Sequence, residues 1–173
     1  MGGSPEVAAA AAPSPEQDRK ILNFALVLER LQAAFYEEGL ARASLTGELR
    51  EFAEIVGGHE RAHVEFLEKA LGDAARPSPR FDLSAATRDE RVFGQTARML
   101  EDAGVAAYNG QAANLTKDVL GPAAEIVSVE GRHAAWIRDI LGLEPAPRAA
   151  DAGAESAAIV RQLQASGLLR SGG

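Results

Sequence analysis

The same chemical unit is written twice along this chain. A stretch with one glutamate in its apolar stripe, Glu29 and later Glu101, is followed by a stretch carrying Glu-x-x-His, Glu60/His63 and later Glu130/His133. A tyrosine, Tyr36 or Tyr108, stands seven residues after each lone glutamate. Residues three apart share one face of a helix, so each Glu/His pair can present an oxygen and a nitrogen toward one point. Four such helices would gather four carboxylates and two imidazoles. That is the ligand set of a carboxylate-bridged two-metal site.

The stripes that hold these residues are otherwise apolar and follow helical spacing. Leu22, Leu26, Glu29, Ala33, Tyr36 and Leu40 define a helix from Pro15, capped by Ser14, to about Ala43. Leu49, Ala53, Val56, Glu60, His63, Leu67 and Ala70 define a second, from a Thr46 cap to Leu71 and closed by Gly72. Asp73 to Ala86, with Pro77 and Pro79, reads as a long crossover. Thr87 and Glu90 then form a capping-box signature for a third helix, expected to run to about Leu120 through Gly94, Ala97, Glu101, Gly104, Tyr108, Ala112 and Leu115. Gly121-Pro122 is expected to break the chain and open a fourth helix bearing Ala123, Ile126, Glu130, His133, Ile137 and Ile140. No stretch alternates as a strand does. The expectation is an all-α fold, a four-helix bundle of two helical hairpins over residues 16–143. A linker and a short amphipathic helix, about Ala154 to Leu169, would pack on it with Ile159, Val160, Leu163 and Leu168.

Composition narrows the partners. A net charge of −7 argues against nucleic acid or an anionic membrane surface. No apolar run approaches the roughly 20 residues that span a bilayer. Cysteine is absent, which removes disulfides, thiolate ligands and iron–sulfur clusters. Residues 1–15 are rich in Ala, Pro and Gly and read as a disordered tail. They lack the form of a signal peptide. The tail is either native or the remnant left after an export signal is removed, so cytoplasmic and exported locations both stay open. Alanine-rich faces and Trp136 permit a homodimer.

A single Glu-x-x-His means little, because solvated helix faces and buried Glu–Arg pairs produce it often. Location decides here. Four ionised carboxylates in apolar seams repel one another and each carries a desolvation cost of several kcal/mol. The same stripes offer too few basic residues to neutralise them, whereas two divalent ions would. Glu29 and Glu101 then read as terminal ligands, Glu60 and Glu130 as bridges, and His63 and His133 as one nitrogen each. An oxygen-rich shell without sulfur favours iron, with manganese as the alternative, over zinc or copper. Tyr36 and Tyr108 are either hydrogen-bond donors behind the ligands, electron-transfer residues, or ordinary core tyrosines. Glu37, Glu38, Asp102 and Glu125 fall off the stripes and read as solvated. The glycines Gly57, Gly58, Gly104 and Gly131 serve either close helix approach or room beside a metal or small substrate.

A competing motif overlaps the first pair: His59-Glu60-Arg61-Ala62-His63 spells the zinc-peptidase signature, two histidines on zinc with a glutamate base. Against it, Val129 stands where the second unit would need a histidine, and no strand-rich domain is present to shape a cleft. His59 then reads as a neighbour of the ligands.

At these residues the chain resembles the ferritin-like superfamily, whose bundles carry Glu, Glu-x-x-His, Glu, Glu-x-x-His in that order. The run Glu29…Tyr36 is also similar to the first ligand helix of rubrerythrins. ILNFALVLERLQAAFYEEGL, HERAHVEFLEKAL, LEDAGVAAYNGQAANL and IVSVEGRHAAWIRDIL resemble more closely the ferritin-like domain family of bacteria and plants that includes desiccation-related proteins. The resemblance covers about residues 18–142. It implies a non-haem di-iron or dimanganese centre on Glu29, Glu60, His63, Glu101, Glu130 and His133, redox-active toward dioxygen or hydrogen peroxide. A metal-braced stress or desiccation-related structural protein, a dimanganese catalase-like enzyme and iron storage are the alternatives. The chain departs from rubrerythrins in having no cysteine-bound iron domain, and from many relatives in showing no export signal.

Overall fold

The computed structural model describes residues 12–169. Most of the expected N-terminal tail, residues 1–11, lies outside them. Five α-helices follow in order: α1 Pro15–Arg42, α2 Gly47–Leu71, α3 Glu90–Gln111, α4 Lys117–Ile140 and α5 Ser156–Ala165. The first four form two hairpins, α1 with α2 and α3 with α4, joined by the long crossover between Gly72 and Asp89. The all-α bundle expected from the stripes is the observed fold.

Local chemistry explains the ends. Ser14 caps α1 by accepting from the Gln17 backbone N–H at 3.2 Å, with Pro15 at the first helical position. The α3 cap differs from expectation. Asp89, not Thr87, accepts from the Val92 N–H at 2.8 Å. Thr87 is fully buried and spends its hydroxyl on the Leu83 carbonyl at 2.9 Å and on Glu38 at 3.1 Å. Glu90 instead reaches back to the start of α2, accepting from both the Thr46 N–H and its hydroxyl at 2.8 Å.

The boundary between α3 and α4 also moves. Helix α3 stops at Gln111 rather than near Leu120, and α4 opens at Lys117, so Gly121-Pro122 lies inside it. The cause is a tertiary anchor. The Thr116 N–H and hydroxyl donate to Asp18 on α1 at 2.9 and 2.6 Å, which fixes the turn there. Pro122 then removes one intrahelical donor near the start of α4, a tolerable loss beside that gain.

The core lies between the hairpins. Phe35, Phe52, Phe93 and Tyr36 sit together fully buried, with Phe35 stacked on Phe93 at 4.6 Å. A second apolar cluster gathers Leu22, Leu26, Leu67, Tyr108 and Ile126 toward the other end. Helix α5 is shorter than expected, but Ile159, Leu163 and Leu168 are buried in the main core, and Val160 is half-buried. The segment after α5 pins the crossover: Asp82 N–H donates to the Leu168 carbonyl at 3.2 Å, and Phe81 forms an isolated antiparallel bridge with Leu169. Among the described residues no helix is long and apolar enough to cross a membrane.

Candidate metal centre

Each bundle helix delivers its share of one buried cluster. Glu29 on α1, Glu60 and His63 on α2, Glu101 on α3, and Glu130 and His133 on α4 all fall between 0% and 9% exposed. They face inward because they occupy the apolar stripe, where packing leaves them no other direction. Their donor atoms fall into two overlapping groups: Glu29, Glu60, His63 and Glu130, and Glu60, Glu101, Glu130 and His133, with the atoms of each within 4.8 Å of one another. Glu60 and Glu130 belong to both. The six residues singled out in the sequence are thus brought together, and the two expected to bridge stand in the middle.

The tyrosines cross between the halves. Tyr36 of the first hairpin donates to Glu101 Oε1 of the second at 2.5 Å, and Tyr108 of the second donates to Glu29 Oε1 of the first at 2.6 Å. Burial, and then the charge of the glutamate each one serves, pushes both phenols well above their ordinary range. They therefore stay protonated as donors. Tyr36 is enclosed edge-on by Phe35, Phe52 and Phe93, whereas Tyr108 retains 8% exposure.

Electrostatics show what the protein alone leaves uncompensated. Burial, followed by the charges of neighbouring carboxylates, pushes Glu60 and Glu130 well above the usual carboxylate range. Burial also works against a charged His63, but the surrounding Glu130, Glu29 and Glu60 outweigh it, and its imidazole is pushed up to about 12. Glu29 goes the other way: burial opposes ionisation, yet His63, the neighbouring Glu60 and Tyr108 together hold it below its ordinary value. Both carboxylate oxygens of Glu60 and of Glu130, Glu101 Oε2 and His133 Nδ1 are buried without a hydrogen-bond partner. Orphaned buried oxygens are costly, and nitrogen and oxygen lone pairs converging on one space are what a divalent cation satisfies. The donor set fits two such ions.

Residues 17–143 match the sequence profile of the Ferritin-like domain family. The chain belongs to the ferritin-like family. A search of curated proteins returned no match. The match runs from the first turn of α1 past the end of α4 and so covers all six residues of the cluster, leaving α5 beyond it.

Sequence reasoning missed two parts of the surroundings, Gln32 and Asp102, and for His59 gave the neighbourhood without the partner. Gln32, fully within the core at 2% exposure, donates to Glu101 Oε1 at 3.0 Å. It lies one turn past Glu29 in the same stripe, and that position was the available signal. His59 Nδ1 lies 2.9 Å from His133 Nε2, with the rings stacked, so the neighbour of the ligands touches the opposite helix pair. Asp102, expected to be solvated, is half-buried and pairs with Arg138 at 2.5 Å. The glycines divide. A Cβ on Gly57 would meet Tyr36 Cβ at 2.9 Å, a close helix approach, and one on Gly104 would meet Glu130 Oε2 at 2.7 Å. One on Gly131 would meet nothing within 4 Å.

All three histidines of the chain line one pocket of about 380 Å3, with Ala62, Val129, Arg132 and Trp136. It lies between α2 and α4 and reaches the imidazole side of the cluster. Trp136 forms its far wall, held by a hydrogen bond to Glu48 Oε1 at 2.8 Å and edge-on packing against Phe52.

Proposed function

We propose that the protein is a non-haem two-metal protein of oxidoreductase type, in which Glu29, Glu60, His63, Glu101, Glu130 and His133 hold two divalent ions. One observation carries the reading: six buried donor atoms converge without hydrogen-bond partners on a single space. Four carboxylates balance two divalent charges, and two neutral imidazoles complete the shell. Oxygen and nitrogen donors without sulfur favour iron, then manganese. A redox-active pair of such ions would supply electrons to dioxygen or hydrogen peroxide.

The chain's own residues set the conditions for that chemistry. Tyr108 and Tyr36 fix the outer glutamates by their Oε1 atoms, so the Oε2 atoms face the cluster. The aromatic cage around Tyr36 keeps water from that side. The histidine-lined pocket gives a small reactant a way to the imidazole side. The peptidase reading loses support, because His59 joins neither donor group among the described residues and is engaged by His133.

Elemental analysis of protein purified without a histidine tag should give about two iron or manganese atoms per chain. Anaerobic ferrous loading followed by air should consume dioxygen in proportion to bound iron; no consumption of dioxygen or peroxide would defeat the enzymatic reading. The depth of the cluster favours one second reading, ions that only brace four helices. A large rise in melting temperature without turnover would identify it. Manganese with peroxide dismutation would mark the catalase-like alternative. A closed cage on size-exclusion chromatography would mark storage.

A further inference from the structure

Resting on the two-ion reading, we propose that the two ion positions are unequal by construction. The Glu101–His133 position fills first and holds its ion more firmly, and Gln32 and His59 are the residues that position its ligands.

The observation is a difference between two pairs of atoms at the same separation. Glu29 Oε2 and His63 Nδ1 lie 3.2 Å apart and are hydrogen-bonded to each other. An ion at that position must first break their bond. Glu101 Oε2 and His133 Nδ1 also lie 3.2 Å apart, yet neither has a hydrogen-bond partner. An ion there breaks no hydrogen bond and satisfies two orphans.

Two side chains create the difference. Glu101 receives a pair of donors on Oε1, Tyr36 at 2.5 Å and Gln32 at 3.0 Å, which turn Oε2 toward the cluster. His133 is held from behind by His59, whose Nδ1 lies 2.9 Å from His133 Nε2. Held there, His133 Nδ1 lies 3.2 Å from Glu101 Oε2 and 3.3 Å from Glu60 Oε1 without a hydrogen bond to either. Donor atoms that converge with no hydrogen bond between them are free to take a cation. The other position has neither device. Gly104 stands where the repeat would place a second Gln32, and Val129 where it would place a second His59. Ligands held by a hydrogen bond behind them lose less freedom on binding, and removing such a partner typically lowers metal affinity 10–100-fold.

The test is a cobalt(II) titration of the full metal-free chain, followed by calorimetry and visible absorption, with anomalous diffraction from crystals grown at one equivalent. Two steps at least about tenfold apart are expected, with the first ion beside Glu101 and His133. His59→Ala, at an exposed position where folding is not at stake, should weaken the first step about 10–100-fold and leave the second unmoved. His59→Gln, whose amide can still hydrogen-bond His133 Nε2, should restore it. Gln32→Met, similar in shape but without the donor, should act in the same direction. Two ions binding in one step, a first ion beside Glu29 and His63, or an unmoved first step in His59→Ala would each overturn the proposal while leaving the two-ion function standing. No bound cobalt at any concentration would overturn both.

Discussion

The first hairpin and the second are alike in what they aim at the centre and unlike in almost everything behind it. Each supplies one glutamate, one Glu-x-x-His and one tyrosine that reaches across to the other's glutamate. Beyond these, Gln32 is matched by Gly104, His59 by Val129, and the half-buried Trp136 by Phe66, which is 42% exposed. Even the flanking ion pairs are reversed in sign. Arg30 on α1 pairs with Glu68 on α2, while the equivalent positions on α3 and α4 carry Asp102 and Arg138. The lesson is that the repeat preserves the chemistry of a point and not the packing of a hairpin. A cluster defined by six donor atoms tolerates unrelated surroundings provided the donors still converge.

The sharpest way to break the comparison is to remove a residue the two halves share. Glu60→Ala should abolish both ions, because Glu60 belongs to both donor groups, whereas Glu29→Ala should cost only one. Elemental analysis of the purified variants decides between them.

Next in size is the effect of removing metal at different pH. Glu60, Glu130 and His63 all have folded-state values above their ordinary 4.5 or 6.5, so the metal-free fold keeps protons that the unfolded chain has lost. Its stability should therefore fall as pH rises from 5 to 8. Glu29, shifted down, contributes stability that is lost only as pH drops below its ordinary carboxylate range. Ions displace the retained protons, so the loaded form should gain relative to the metal-free form as pH rises. Free metal at 100 times its dissociation constant is worth about 2.7 kcal/mol, or about 5–10 °C for a chain of this size. Calorimetry with and without chelator should show the gap widening from pH 5 to pH 8; a narrowing gap would contradict the assigned protons.

The crossed tyrosines offer a finer contrast. Tyr108→Phe should lower the urea-unfolding stability of the metal-free protein by about 1.5–3 kcal/mol, the worth of a hydrogen bond to a charged group. Tyr36→Phe should cost less, because Gln32 still donates to Glu101. Two glycines sharpen the same point. Gly104→Ala forces Glu130 to move and should cost about 1–3 kcal/mol, while Gly131→Ala meets open space and should gain up to about 1 kcal/mol in helix propensity. The smallest effect belongs to the reversed ion pairs. Arg30→Ala should change stability by about 0.2–1 kcal/mol, because the pair is partly in water, with Glu68 44% exposed.

Helical periodicity made the bundle, the crossover and the convergence of the six acidic and imidazole side chains legible, because each is a property of one stripe on one helix. What stayed hidden involved residues distant in the chain. Thr116 starts α4 because Asp18 holds it, and no local reading of Gly121-Pro122 contains that contact. Asp89 takes the cap of α3 because Thr87 is drawn inward to Glu38. Asp102 leaves water because Arg138, a turn beyond the last ligand on a different helix, reaches it. Gln32 stood in plain view between Glu29 and Tyr36, but its target is on α3.

The exchange of phenols between hairpins has a consequence for biogenesis. Neither half can align its own outer carboxylate until the other has docked, so a nascent chain still lacking α4 offers an ion no finished coordination sphere. If the cluster binds two ions as proposed, tight loading should follow synthesis of the whole bundle, and a ribosome-bound fragment ending after α2 should hold metal far more weakly than the full chain.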